Sequence, residues 1–228
     1  MDDILSRGLL PVGKVRHGSQ SAYSRSHTIH PPCDSYNLVY LAMVLSGAGF
    51  LLPYNSLITA VDYFQTVFPG TTIVFDISLI YILTALIAVL LNNVIIYTFS
   101  LNSRIMFGYI ISLLIIMFIL IFIIWLDMFP GDQTYAIILV CVALISVGAT
   151  VQQSSFYGLT CMLPARYTQA VMAGESVAGV LSSVSRIITK SFMPDKRSST
   201  VMFFIISIVI ILACIFTFVK VSTISQRL

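Results

Sequence analysis

Six long apolar runs, separated by short polar stretches, follow a polar opening of about 36 residues. They occupy roughly 37–60, 72–99, 105–126, 134–159, 170–189 and 200–219. A helix needs about 20 apolar residues to cross the hydrocarbon core of a bilayer, and each run meets or approaches that length. The runs are continuous and do not alternate, which argues for helices and against a β-barrel. The pattern predicts an all-α integral membrane protein with about six transmembrane helices. Residues 1–36 are expected to form a disordered cytoplasmic tail, and 220–228 a cytoplasmic stub. The tail has no apolar core of signal-peptide length, so the first span is expected to act as the targeting signal.

Composition agrees with this pattern. Of 228 residues, 58% are hydrophobic and 9% charged, and the mean hydropathy is +0.98. No soluble domain of this size has interior enough for so much apolar side chain. The net charge of +3 arises in the tail and loops and forms no basic stripe, which argues against nucleic-acid binding. Cys33, Cys141, Cys161 and Cys214 make neither a zinc pattern nor a disulfide framework. His17, His27 and His30 match no ligand spacing and read as part of a solvated tail. No nucleophile–base set is visible, so neither an enzyme nor a cofactor is expected.

The informative residues are the polar ones inside the apolar runs. In span one, Ser46, Gly47, Ala48 and Gly49 offer a small-residue surface for close helix approach. Pro53 then frees a backbone carbonyl and can kink the helix, with Tyr54 and Asn55 just beyond. These two are candidates to line a ligand site; a helix bend satisfied by a neighbour is the plainer account. Asp76 falls near the start of span two, which ends with Asn92 and Asn93. Span three, opened by Arg104 and closed by Trp125, is the most uniformly apolar and is expected to face lipid over much of its surface. Beyond it, Asp127, Pro130, Gly131 and Asp132 read as a turn.

Span four turns polar in its second half, GATVQQSSFYG. Gln152, Gln153, Ser154 and Ser155 cover more than one helix face, so at least one must point into a bundle or cavity. Span five carries Glu175 within a run of small residues that extends to Arg186. A central acid costs a membrane helix about 2.5–3.5 kcal/mol on insertion scales, and such acids often mark a substrate or ion path. The plainer account is a packing carboxylate satisfied by a neighbouring helix. Arg186 is eleven positions on, about 16 Å along a regular helix, too far for a direct pair. Orientation follows from the loops. Eight basic residues (Arg7, Lys14, Arg16, Arg25, Arg104, Arg166, Lys220, Arg227) share one side, against four (Arg186, Lys190, Lys196, Arg197) on the other. The positive-inside rule puts both termini in the cytoplasm.

Three separated stretches, GAGFLLPYNSLITAVDYF, VQQSSFYG and LPARYTQAVMAGESVAG, resemble in order the equilibrative nucleoside transporter family. Within it they are most similar to the plasma-membrane monoamine transporter branch. The resemblance implies a major-facilitator-like fold of about eleven spans in two bundles, with the substrate between them. It also implies facilitative, cofactor-free transport of a small molecule: an organic cation, a monoamine or a nucleoside. By the same resemblance Tyr54 stands where nucleoside-selective members carry Trp, and Ile58 matches another site-lining position. Gln153 matches a glutamine placed near substrate. Glu175 replaces the glutamine of nucleoside-selective members, and a carboxylate in a low-dielectric cavity favours a cationic amine. Ala60 departs from the acid expected in the monoamine branch. With about six spans, the chain is expected to be the N-terminal half of such a carrier, working as a homodimer or within a longer product. The alternative is a transport-incompetent form that pairs with a full-length transporter and modulates it.

Overall fold

The computed structural model describes residues 38–95, 99–125 and 131–225. The tail with its three histidines and Cys33, the turn residues Asp127 and Pro130, and Arg227 lie outside the described residues, as do the side chains of Asn93 and Asp132. The described residues form helices α1 (Leu38–Thr59), α2 (Val61–Val67), α3 (Ile73–Ile95), α4 (Leu101–Ile124), α5 (Gly131–Thr160), α6 (Ala165–Phe192) and α7 (Lys196–Ser225). Among them, six stretches are long and apolar enough to cross a membrane, with α1 and α2 counting as one. The chain is a multi-pass helical membrane protein.

Local chemistry sets the helix ends. Ala60 leaves helical geometry at ψ 6°, so Asp62 lies in the first turn of a short second helix. The chain then reverses through Pro69 and Gly70, whose φ of 79° is accessible to glycine at little cost. The Ser100 hydroxyl accepts from the Ser103 amide and caps α4. At the head of α7 the Asp195 carboxylate accepts from the Ser198 amide and hydroxyl, at 2.9 and 2.8 Å, and these bonds hold its pKa below the usual carboxylate range.

The bundle is arranged around α1, which packs on α4, α5, α6 and α7. Its closest approach is to α6. A Cβ at Gly47 would lie 2.5 Å from the Val171 carbonyl oxygen. One at Gly174 would overlap the Val44 carbonyl oxygen and come within 2.8 Å of the Ala48 amide nitrogen. Two backbones therefore meet with no side chain between them, as the small-residue surface of span one predicts. One aromatic cluster fills the space beside this crossing, with Phe156 against Phe50, Tyr109 and Phe218. The Tyr109 hydroxyl donates to the Ser46 carbonyl at 2.8 Å. A second cluster, with Leu57, Phe64, Ile145, Phe203 and Phe204, fills the region near α2.

Lipid exposure agrees with the sequence reading for α4, which exposes Phe107, Ile110, Leu114, Phe118 and Ile121, but another helix is more peripheral still. The most peripheral helix is α3, exposing Phe75, Ile82, Leu86, Ile87 and Leu90. By contrast, α4 buries a stripe containing Arg104, Gly108, Tyr109 and Ser112. Uniform hydropathy cannot separate the two, because lipid tails and apolar protein neighbours are equally apolar.

Charge fastens α2 to the bundle. The Asp62 carboxylate accepts from Arg186 at 3.1 and 3.0 Å and pairs with Lys190 at 2.8 Å. Arg186 is buried; it also donates to the Ser199 hydroxyl and sits over the Phe203 ring. Removing Asp62 leaves that guanidinium without its carboxylate. Asp62→Ala should lower stability by about 2–3 kcal/mol, below the usual cost of breaking a buried pair because Asp62 is partly exposed. Lys190→Ala, at a half-exposed position, should cost under about 1 kcal/mol. Thermal unfolding in lipid nanodiscs distinguishes the two. Gly174→Val should cost about 3 kcal/mol or more by forcing α1 and α6 apart, and the same melts will show it.

Candidate substrate site

The polar half of α5 sends its side chains in three directions, as 100° per residue requires. Gln152 is fully buried toward α4, where Gly108 leaves room: a Cβ there would lie 2.6 Å from the Gln152 Cβ. Its amide lies beside the Tyr109 hydroxyl, yet neither amide atom reaches hydrogen-bond geometry with a described residue. Ser154 faces a polar knot near one end of α4. There the buried Arg104 guanidinium donates to Asn92 Oδ1 at 2.8 Å and to Ser154 Oγ at 3.3 Å. Asn92 Nδ2 donates to the same Ser154 hydroxyl at 2.8 Å. Arg104 thus bonds to neutral oxygens, and its Nε has no partner among the described residues. The sequence shows it only as the residue that opens span three.

The third direction leads to Glu175. Gln153 Nε2 donates to Glu175 Oε1 at 3.4 Å, and the Tyr157 hydroxyl donates to the same oxygen at 2.6 Å. Gln153 and Tyr157 are four residues apart, hence on one face of α5. That spacing is the signal that could have singled out Tyr157, which the sequence reading passed over. Among the described residues, no hydrogen bond reaches Glu175 Oε2. The carboxylate is half-buried, and nothing lies within 4 Å of where a Cβ on Gly179, one turn on, would sit.

On α1, Tyr54 follows Pro53 and stacks on Tyr81 of α3, with ring centroids 3.5 Å apart and planes 17° from parallel. Tyr81 is partly buried against the larger core cluster, and no described hydrogen bond or ring contact joins this stack to Glu175. Ile58 is one turn beyond Tyr54, half-buried against the larger core cluster. Asn55 is half-buried; its carbonyl accepts from the Thr59 hydroxyl at 2.6 Å, while its amide makes no hydrogen bond among the described residues. The structure thus joins Gln153 to Glu175 directly and Tyr54 to Tyr81, without a described contact between the two groups. Asn55 and Ile58 share α1 with Tyr54, without a described bond to Glu175. An acceptor-only oxygen, an aromatic stack and an amide can together hold a small molecule with a positive charge and a flat apolar part. Among the described residues, no group of three His, Cys, Asp or Glu side chains is placed to hold a metal.

The described residues form a bundle of membrane-length helices with a polar, acid-bearing cluster between two of them. Comparison with known proteins gives the family. The family model described as nucleoside transporter matches residues 139–226. Equilibrative nucleoside transporter 4 of Homo sapiens is 56% identical over 183 residues, covering 80% of this chain and 34% of the relative. Its namesake in Danio rerio is 52% identical over 212 residues, or 93% and 39%. Equilibrative nucleotide transporter 1 of Arabidopsis thaliana is 34% identical over 197 residues, or 80% and 42%. The chain belongs to the equilibrative nucleoside transporter family, and it spans between 34% and 42% of the length of these relatives.

Proposed function

We propose that the chain forms one half of a facilitative plasma-membrane carrier for organic cations, monoamines in particular, with nucleosides as a second substrate class. The observation that carries this reading is Glu175. Its carboxylate is half-buried between helices, and its two donors converge on one oxygen. The other oxygen is left for the ammonium group of a substrate. The rings of Tyr54 and Tyr81 would face the same cation or stack on its aromatic part. Ile58, Asn55 and Gln153 complete the lining in this reading. The names of the relatives support solute transport as the wider class.

Alternating access needs a second bundle opposite this one. A longer product, a second copy of the chain or a full-length relative would supply it. In the last case the chain would modulate its partner and transport nothing itself. Uptake of tritiated phenethylamine by cells expressing this chain alone, with surface biotinylation to confirm delivery, separates these cases. Saturable uptake is the expected result. Glu175→Gln should reduce it about tenfold or more, the effect of losing a charge-assisted contact of roughly 1.5 kcal/mol, and should leave uridine uptake within about twofold. Equal loss of both substrates would defeat the role given to the carboxylate.

We also propose that both termini face the cytoplasm. The four basic residues that weigh against this are engaged: Arg186 and Lys190 with Asp62, Lys196 with the Thr66 hydroxyl, and Arg197 with the Ile124 carbonyl. Of the described cysteines, Cys161 is exposed in the α5–α6 turn, while Cys141 and Cys214 are buried. In this orientation, a membrane-impermeant maleimide should label Cys161 only after permeabilisation. Labelling of intact cells, abolished by Cys161→Ser, would reverse the orientation.

A further inference from the structure

We propose that Tyr157 is the positioning residue of the site: it holds Glu175 by Oε1 and so keeps Oε2 aimed at a cationic substrate. The inference rests on the reading of Glu175 given above and adds the group that sets its geometry. At 2.6 Å, the phenol–carboxylate distance is that of a charge-assisted O–H···O⁻ bond. The Gln153 contact, at 3.4 Å, is much longer and weaker. A free glutamate side chain has one of the larger rotamer entropies, so an untethered carboxylate would divide its time among several orientations. Tyr157 removes that freedom from a neighbouring helix, and both residues are half-buried. The tether also has a direction. A phenol that donates to Oε1 leaves Oε2 as the acceptor without a described partner. An acceptor-only group favours an ammonium donor over the mixed donor–acceptor edge of a neutral nucleobase. Tyr157 therefore acts on selectivity without needing to touch the substrate.

The test uses the whole chain purified into phosphatidylcholine nanodiscs, as wild type, Tyr157→Phe, Glu175→Gln and the double variant. Phe keeps the ring and removes only the hydroxyl; circular dichroism melts confirm that each variant is folded. Two readouts are taken. Infrared difference spectra against Glu175→Gln isolate the Glu175 carboxylate stretch, and this band should move when Tyr157 becomes Phe. Equilibrium binding of tritiated phenethylamine should weaken about tenfold in Tyr157→Phe, with tritiated uridine unchanged within about twofold. In the Glu175→Gln background, Tyr157→Phe should have no further effect on the amine. An unmoved carboxylate band overturns the proposal, as do equal losses for amine and uridine, or losses that add in the double variant. A moved band with no amine binding by the unaltered chain refutes the cation reading of the site itself, and with it the selectivity assigned to Tyr157.

Discussion

Two helix backbones touch only where neither carries a side chain, and the fold depends on one such contact. Gly47 and Gly174 let α1 and α6 meet backbone to backbone, each occupying the space that a Cβ on the other would need. Van der Waals packing of this kind, more than hydrophobic burial, holds helices together in lipid. The contact also lies close in sequence to two residues of the proposed site. Tyr54 is seven residues from Gly47, two turns along nearly the same face, and Glu175 directly follows Gly174. The crossing thus lies two turns from the aromatic and one residue from the acid that the proposed site uses.

Charge is distributed so that the acid stays available. Arg186 is on the same helix as Glu175, and a guanidinium bound to it would occupy both carboxylate oxygens. Distance along the helix prevents this, and Asp62 engages Arg186 in a two-bond pair near the far end of α6. Arg104 is likewise kept among the neutral oxygens of Asn92 and Ser154. What approaches Glu175 is neutral, a phenol and an amide. Among the described residues no cation is bonded to Glu175, which leaves that place for the ammonium group of a substrate in the proposed site.

Much of this was legible in the sequence, for reasons that also mark where legibility ends. Apolar runs of membrane length can satisfy their backbone only as helices, so the all-α class followed directly. Glu175, Gln153 and Tyr54 stood out because a polar group in such a run demands an explanation. Facing was harder. The lipid-exposed side of α3 and the buried stripe of α4 read alike, since hydropathy records what a residue avoids and not which neighbour it meets. Asp62 did not stand out because its helix is only about two turns long and is held by a partner 124 residues away. Tyr157 was hidden by its class: an aromatic on an apolar helix is ordinarily packing, and its four-residue spacing from Gln153 gains meaning once its hydroxyl is seen against Glu175.

The wedge between α4 and α5 has a consequence of another kind. Gln152 fills the space left by the missing side chain of Gly108, with Gly148 one turn away closing the same gap. Neither position can change alone. A side chain at 108 would strike the glutamine, and a shorter residue at 152 would leave a void beside the glycine. The pair is therefore a unit of inheritance: across descendants of this chain the two positions should drift together, small against large, and a sequence that enlarges one without trimming the other describes a bundle packed in a different way.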